Sequence, residues 1–192
     1  MDSQGFTVFD TAIGPCALAW SARGIVGLQL PEASAARTGA RLKARFPQAV
    51  ESPPSAAVAA AIEAVRALLA SGRGDLSAIA LDLDGVPPFH RSVYDVARAI
   101  PPGETLTYGE VAARLGDPGA ARAVGQALGQ NPVAVIVPCH RVLAAGGRTG
   151  GFSANGGVET KLRILTIERA RTGDAPLLFD DLPLAAKARP KR

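Results

Sequence analysis

Short apolar stretches at residues 6–9, 16–20 and 25–30 predict three strands, the last two joined by a tight turn at 21–24. The period then changes. Helical spacing predicts helices over about 32–46 and 55–70, and in the second of these Val58, Ile62, Val65 and Leu69 define one buried face. Residues 79–83 read as a further strand, and the Asp-Gly-Val-Pro-Pro run at 84–88 reads as a linker. Past this point the pattern is mostly helical. A helix is predicted over 89–100, stopped by Pro101, Pro102 and Gly103. Thr107 is placed to cap a helix over 108–115, residues 115–118 form a break, and a helix over 119–129 follows. Two short helices across a tight turn are the pattern of a helix-turn-helix. An apolar, strand-like run at 133–137 leads to a Gly-rich loop at 146–157 and a helix over 158–170. Strands beside a helix-turn-helix predict its winged form.

These elements divide the chain into an α/β N-terminal domain over 1–86 and a mostly α winged helix-turn-helix domain over 87–172. The remaining 173–192 is expected to be a frayed basic tail. Hydrophobic residues make up 47% of the 192, enough to build a core. No apolar run reaches the ~18 residues of a membrane span. The N-terminus lacks the basic start and apolar stretch of a signal peptide, so the protein is expected in the cytoplasm, with the nucleoid if bacterial. Two cysteines, Cys16 and Cys139, give no disulfide framework, and no Cys-x-x-Cys pair points to zinc. No cofactor or metal is expected.

Charge changes the picture more than composition does. Residues 1–86 hold 7 Lys/Arg and 8 Asp/Glu, whereas 87–172 hold 10 and 6. The positive balance therefore sits in the helical half, as a polyanion partner would require.

Chemistry concentrates in residues 131–142, where Asn131-Pro132 opens an apolar run that closes on Pro138-Cys139-His140-Arg141-Val142. A thiol attacks as thiolate, and neighbouring bases or cations favour that form. His140 is the obvious base, and Arg141 supplies positive potential. Neighbouring residues on an extended chain point to opposite sides. Contact between Cys139 and His140 therefore needs either a turn or a bridging water. A third group should orient the imidazole. The plainer alternative is a buried cysteine at a strand end beside a solvent-facing histidine.

The Pro138-Cys139-His140-Arg141-Val142 segment resembles the active-site motif of the O6-alkylguanine-DNA alkyltransferase family. Other segments resemble that family in the same order. Thr107-Tyr108-Gly109-Glu110-Val111-Ala112 resembles its helix-turn-helix entry, and Ala121-Arg122-Ala123-Val124-Gly125 its recognition helix. Asn131-Pro132-Val133 resembles its asparagine hinge. Gly150-Gly151-Phe152-Ser153, Gly156-Gly157 and Lys161 resemble its active-site loop and following helix. The likeness is strong over about 87–170 and looser over 1–86, where Asp10-Thr11-Ala12-Ile13-Gly14-Pro15 resembles the first hairpin of the family's ribonuclease H-like domain.

The resemblance implies a single, irreversible transfer of an alkyl group from O6-alkylguanine in double-stranded DNA to Cys139, by a monomer. It makes His140 the base acting through water, Glu168 the carboxylate that orients the imidazole, and Asn131 the hinge around the site. Tyr108 would press the target phosphate and touch the base. Arg122 would fill the space of the flipped nucleotide, while Ala121, Ala123 and Gly125 keep the helix slim for a minor groove. Arg141 is placed among the DNA contacts. Pro138, Val142, Phe152 and Ser153 join Tyr108 as the expected pocket. Phe152 stands where some relatives carry tyrosine, and the loop over 153–157 is two residues longer than in some. This leaves open the range of alkyl groups and the use of O4-alkylthymine. Cys16 reads as inert core, His90 as a surface residue, and Glu168, without the resemblance, as a surface partner of Arg169 or Arg171. Two rival functions stay open: an alkylated-base sensor that binds without transfer, and a cysteine hydrolase.

Overall fold

The computed structural model describes residues 5–149 and 156–170. Strands β1 (Gly5–Thr11), β2 (Gly14–Ser21) and β3 (Gly24–Gln29) form an antiparallel meander, extended by β4 (Val50–Glu51) parallel to β1. The order is β3-β2-β1-β4. Side chains alternate across a pleated strand. Here Cys16 and Leu18 join the main core on one face, while Ala17 and Ala19 join a second cluster with Leu42 on the other. Both faces are covered, which is why β2 reads as a nearly continuous apolar run.

Helix α1 (Ala35–Arg45) starts where the Ser34 hydroxyl accepts from the Arg37 N–H, three residues later than the sequence pattern predicts. Ser55 caps α2 (Ala56–Ser71) in the same way, and Gly72 closes it in the left-handed region. Val58, Ile62, Val65 and Leu69 are buried as the spacing predicts. Residues 79–83 do not form a strand. Leu81 makes one isolated bridge to Ile25. The Asp82 carboxylate then accepts from Ser21, Arg23 and the Asp84 N–H, which turns the chain off the sheet edge.

In the second half, α3 (Pro88–Arg98) leads to β5 (Leu106–Thr107) and α4 (Tyr108–Arg114). A reciprocal capping box between Thr107 and Glu110 fixes the start of α4. A 3-10 turn at Pro118–Ala120 then turns the chain into α5 (Ala121–Gly129). Strand β6 (Val142–Leu143) pairs in parallel with β5, and α6 (Val158–Ile167) follows. Helix α6 ends three residues before the expected limit, leaving Glu168 as its C-cap residue.

The run at 133–137 is not a strand either. Val135 has φ 71°, and the Val137 N–H donates back to the Val133 carbonyl at 2.9 Å. Hydrophobicity reported burial here, not conformation. One continuous core holds Leu18, Leu28, Leu69, Val93, Val124, Val137 and Ile164, so residues from both halves of the sequence share it. Among the described residues, no helix is long and apolar enough to cross a membrane.

Candidate active site

Cys139 opens a 3-10 turn, Cys139–Arg141, tied by Arg141 N–H donating to the Pro138 carbonyl at 2.9 Å. Three residues per turn send successive side chains in three directions. Cys139 stays half-buried, while His140 is 0% and Arg141 5% exposed. The backbone at Cys139 is thus a turn and not an extended strand end.

Upstream, Asn131 organises the loop that carries this turn. Its Nδ2 donates to the Val137 carbonyl at 2.8 Å, and its Oδ1 accepts from the Val133 N–H at 2.9 Å. Pairing both ends of one amide with backbone groups replaces the ladder that a strand would have used. Burial raises the Cys139 thiol above its ordinary value. A side-chain hydrogen bond from Asn131, the charge of Lys161 and the backbone N–H groups of Cys139 and His140 pull it back.

Behind the cysteine lies a buried charge cluster. His140 Nε2 is 3.0 Å from Glu168 Oε1. Arg141 grips the same carboxylate with both ends of its fork, Nε to Oε2 at 3.0 Å and one Nη to Oε1 at 2.7 Å. Its other Nη donates to the Ile100 carbonyl at 2.6 Å. Burial opposes the charge of Glu168, but bonds and charges from His140 and Arg141 outweigh it and hold the carboxyl at about 2. Burial lowers His140 despite that partner, which favours the neutral imidazole. With Nε2 donating to an ionised carboxylate, Nδ1 carries the lone pair. That Nδ1 is buried and has no hydrogen-bond partner among the described residues. The cluster can therefore accept a proton at Nδ1 and stabilise the imidazolium that results.

Lys161 on α6 is fully buried, with Nζ donating to the Val142 carbonyl at 2.6 Å. Burial lowers its ammonium to about 8. The sequence singled out Lys161 only within a resembling motif; a buried cation beside the thiol carries no periodic signature.

The remaining residues separate by position. Tyr108, the first residue of α4, is half-buried, and a Cβ at Gly125 would lie 3.8 Å from its ring. Arg122 is exposed on α5, and Ala121, Ala123 and Gly125 are half-buried there. Phe152 and Ser153 lie outside the described residues. Pro138 is buried. The Val142 side chain is fully buried as well. Arg141 needs correction as a DNA contact. Three of its five N–H donors go to Glu168 and Ile100 inside the protein, so turning to a phosphate would take the only arginine partner away from a buried carboxylate among the described residues. Glu168 is 5% exposed and bonds inward to His140 and Arg141, while Arg171 lies outside the described residues. No cluster of three or more His, Cys, Asp or Glu that could hold a metal occurs among the described residues.

Residues 88–170 match the family model of the DNA-binding domain of 6-O-methylguanine DNA methyltransferase. A methylated-DNA–protein-cysteine methyltransferase of Mycobacterium bovis is 36% identical over 175 residues, covering 91% of this chain and 98% of its own. One from Mycolicibacterium paratuberculosis is 45% identical over 124 residues, 65% of this chain and 73% of its own. A crystal structure of Mycobacterium tuberculosis O6-methylguanine methyltransferase superposes with a TM-score of 0.71 at 34% identity, over 90% of this chain and 95% of that one. The M. tuberculosis OGT crystallised in complex with DNA gives 0.67 at 35% identity, over 85% and 92%. Near full-length identity above 30%, together with a cysteine held at a buried His–Glu pair, settles the assignment: the chain belongs to the methylated-DNA–protein-cysteine methyltransferase family.

Proposed function

We propose that this protein repairs O6-alkylguanine in double-stranded DNA by taking the alkyl group onto Cys139, once per molecule. The observation that carries the reading is the buried His140 imidazole, bonded to Glu168 at one nitrogen and without a partner among the described residues at the other. The Cys139 proton passes through a water to Nδ1 of His140. The thiolate sulfur then bonds the alkyl carbon as the carbon–oxygen bond to guanine breaks. The electron pair leaves with the guanine, which takes up a proton and becomes the normal base. The product at Cys139 is a thioether, which is a poor electrophile. Water therefore does not regenerate the thiol, and the reaction stops.

The target atom is stacked inside the duplex, so the nucleotide must be extruded. We read α4, the 3-10 turn and α5 as the helix-turn-helix of a winged domain over 87–172, with α5 entering the minor groove. The small residues Ala121, Ala123 and Gly125 suit that narrow groove. Exposed Arg122 occupies the space left by the flipped base, and Tyr108 meets the phosphate and the base. Phe152, Ser153, Pro138 and the backbone near Val142 bound the alkyl pocket. Residues 1–86 form a ribonuclease H-like domain that supports the site, and the protein acts as a monomer in the cytoplasm.

Duplex carrying radiolabelled O6-methylguanine, in excess over protein, tests the reaction. Label is expected on protein, rising to one equivalent and stopping. Label released to solution would mean hydrolysis; binding without any transfer would mean a sensor. Arg122→Ala tests the docking. It is expected to slow repair of duplex by about tenfold or more, through loss of a few kcal/mol of support for the unstacked state. Reaction with free O6-benzylguanine, which needs no extrusion, should be unchanged. Equal losses on both substrates would remove the finger role from Arg122.

A further inference from the structure

Glu168 belongs to the second half of the chain, yet its backbone rests on a residue from the first. Gly72 closes α2 with φ 69° and is buried. A Cβ added there would overlap the Ile167 carbonyl oxygen and lie 2.7 Å from the α-carbon of Glu168. Glycine is thus required twice, by the left-handed backbone and by the close approach. A second left-handed glycine, Gly103 (φ 85°), comes near the Glu168 carbonyl oxygen, where a Cβ would lie 3.2 Å away. The chain after Gly72 is fastened to α3, because one Nη of Arg98 donates to the carbonyls of Ser77 at 2.5 Å and Ile79 at 2.9 Å.

The side chain of Glu168 is held from the same side of the molecule. Arg141, its bidentate partner, is anchored on the Ile100 carbonyl, at the end of α3. Gly72, Arg98, Ile100 and Arg141 all line one cavity of about 590 Å³. Arg141, the partner of Glu168, therefore has open space beside it if the residues at 167–168 are pushed.

We infer that Gly72 is a positioning residue for alkyl transfer: by letting α2 end flush on Ile167 and Glu168, the first half of the chain sets where the carboxylate meets His140. The inference rests on the transfer reading above. It gives the N-terminal half a part in the chemistry, through contact with the relay and not with the substrate.

Gly72→Ala tests it against a matched control. Alanine at 72 adds left-handed strain and displaces residues 167–168. Gly85 has φ 78° and nothing within 4 Å of an added Cβ, so Gly85→Ala supplies the strain alone. Single-turnover rates for Gly72→Ala are expected to fall about tenfold on methylated duplex and on free O6-benzylguanine alike, the range for weakening one charged hydrogen bond. DNA affinity should hold, and the rate–pH profile should move to higher pH, because a displaced Glu168 no longer supports the imidazolium. Gly85→Ala should match wild type. In a Glu168→Gln background, Gly72→Ala should add little, since both act through one contact. Wild-type rates in Gly72→Ala, or full additivity with Glu168→Gln, would overturn the inference. Gly103→Ala pushes the same residue more gently and decides the matter if Gly72→Ala does not fold: an unmoved rate–pH profile in it would overturn the inference as well. Failure of the wild-type protein to transfer at all would instead remove the transfer reading.

Discussion

Cys139→Ala is expected to abolish alkyl transfer completely while leaving the affinity for methylated duplex close to wild type. The bond that ends the reaction is formed by the Cys139 sulfur, and no neighbouring group can replace it. Cys16, the other thiol, is 0% exposed in β2. Burial, only partly offset by a hydrogen bond with Thr11, pushes its pKa to about 12, so its thiolate is negligible at pH 7. Lys161, the nearest buried amine, is committed to the Val142 carbonyl. In the docking proposed above, DNA affinity rests instead on phosphate contacts and on the exposed face of α5, which the substitution does not alter. Intact-protein mass spectrometry after incubation with excess methylated duplex checks both parts. Wild type should gain one alkyl mass on the peptide holding Cys139, and the variant none. Transfer retained in Cys139→Ala, with mass added elsewhere, would refute the assignment of the acceptor.

Arg141→Met is expected to destabilise the fold by roughly 3–5 kcal/mol at pH 7, the cost of leaving a buried carboxylate without its cation. The variant removes three hydrogen bonds, two to Glu168 and one to Ile100. Methionine keeps the bulk of the buried stem, so the loss is electrostatic and not a cavity. The pH dependence identifies the source. Glu168 falls from an ordinary value of 4.5 to about 2 in the folded protein. A depressed carboxyl stabilises the fold fully above 4.5, and that contribution is lost as pH falls through 2. The deficit of the variant should therefore be largest at neutral pH and narrow as the solution is acidified across that window. Urea unfolding at several pH values measures it. Wild-type stability with weakened DNA binding would return Arg141 to the surface as a phosphate contact.

The two substitutions separate what the neighbouring residues of one short motif do. Cys139 is half-buried, whereas Arg141 bonds inward to the carboxylate that holds His140. Nothing in the order Cys-His-Arg distinguishes these roles. An arginine after a cysteine and a histidine reads naturally as surface charge for a polyanion, and the excess of Lys/Arg over 87–172 encourages that reading. The 3-10 turn decides otherwise, because three side chains per turn cannot all face water on the surface of a packed domain.

Elements whose signals are local can be read directly from the order of residues. Thr107 caps a helix through hydrogen bonds within a few residues, and α2 shows its buried face through spacing alone. The nucleophile and its neighbouring base were also legible, since both lie in one motif with few chemical alternatives. Only the tertiary structure decided the rest. The apolar run at 133–137 has the composition of a strand, but the Asn131 amide folds it into turns. Residues 79–83 lose their ladder to side-chain bonds with Ser21 and Arg23, some sixty positions away. The resemblance named Glu168 as the partner of His140, but its burial and its grip by Arg141 depend on α6 stopping at Ile167 and on Gly72 letting α2 approach it. Each of these outcomes depends on contacts between residues far apart in sequence. Periodicity and propensity report how a segment meets its immediate neighbours and how much of it is buried, and they hold no information on which distant group will be there to meet it.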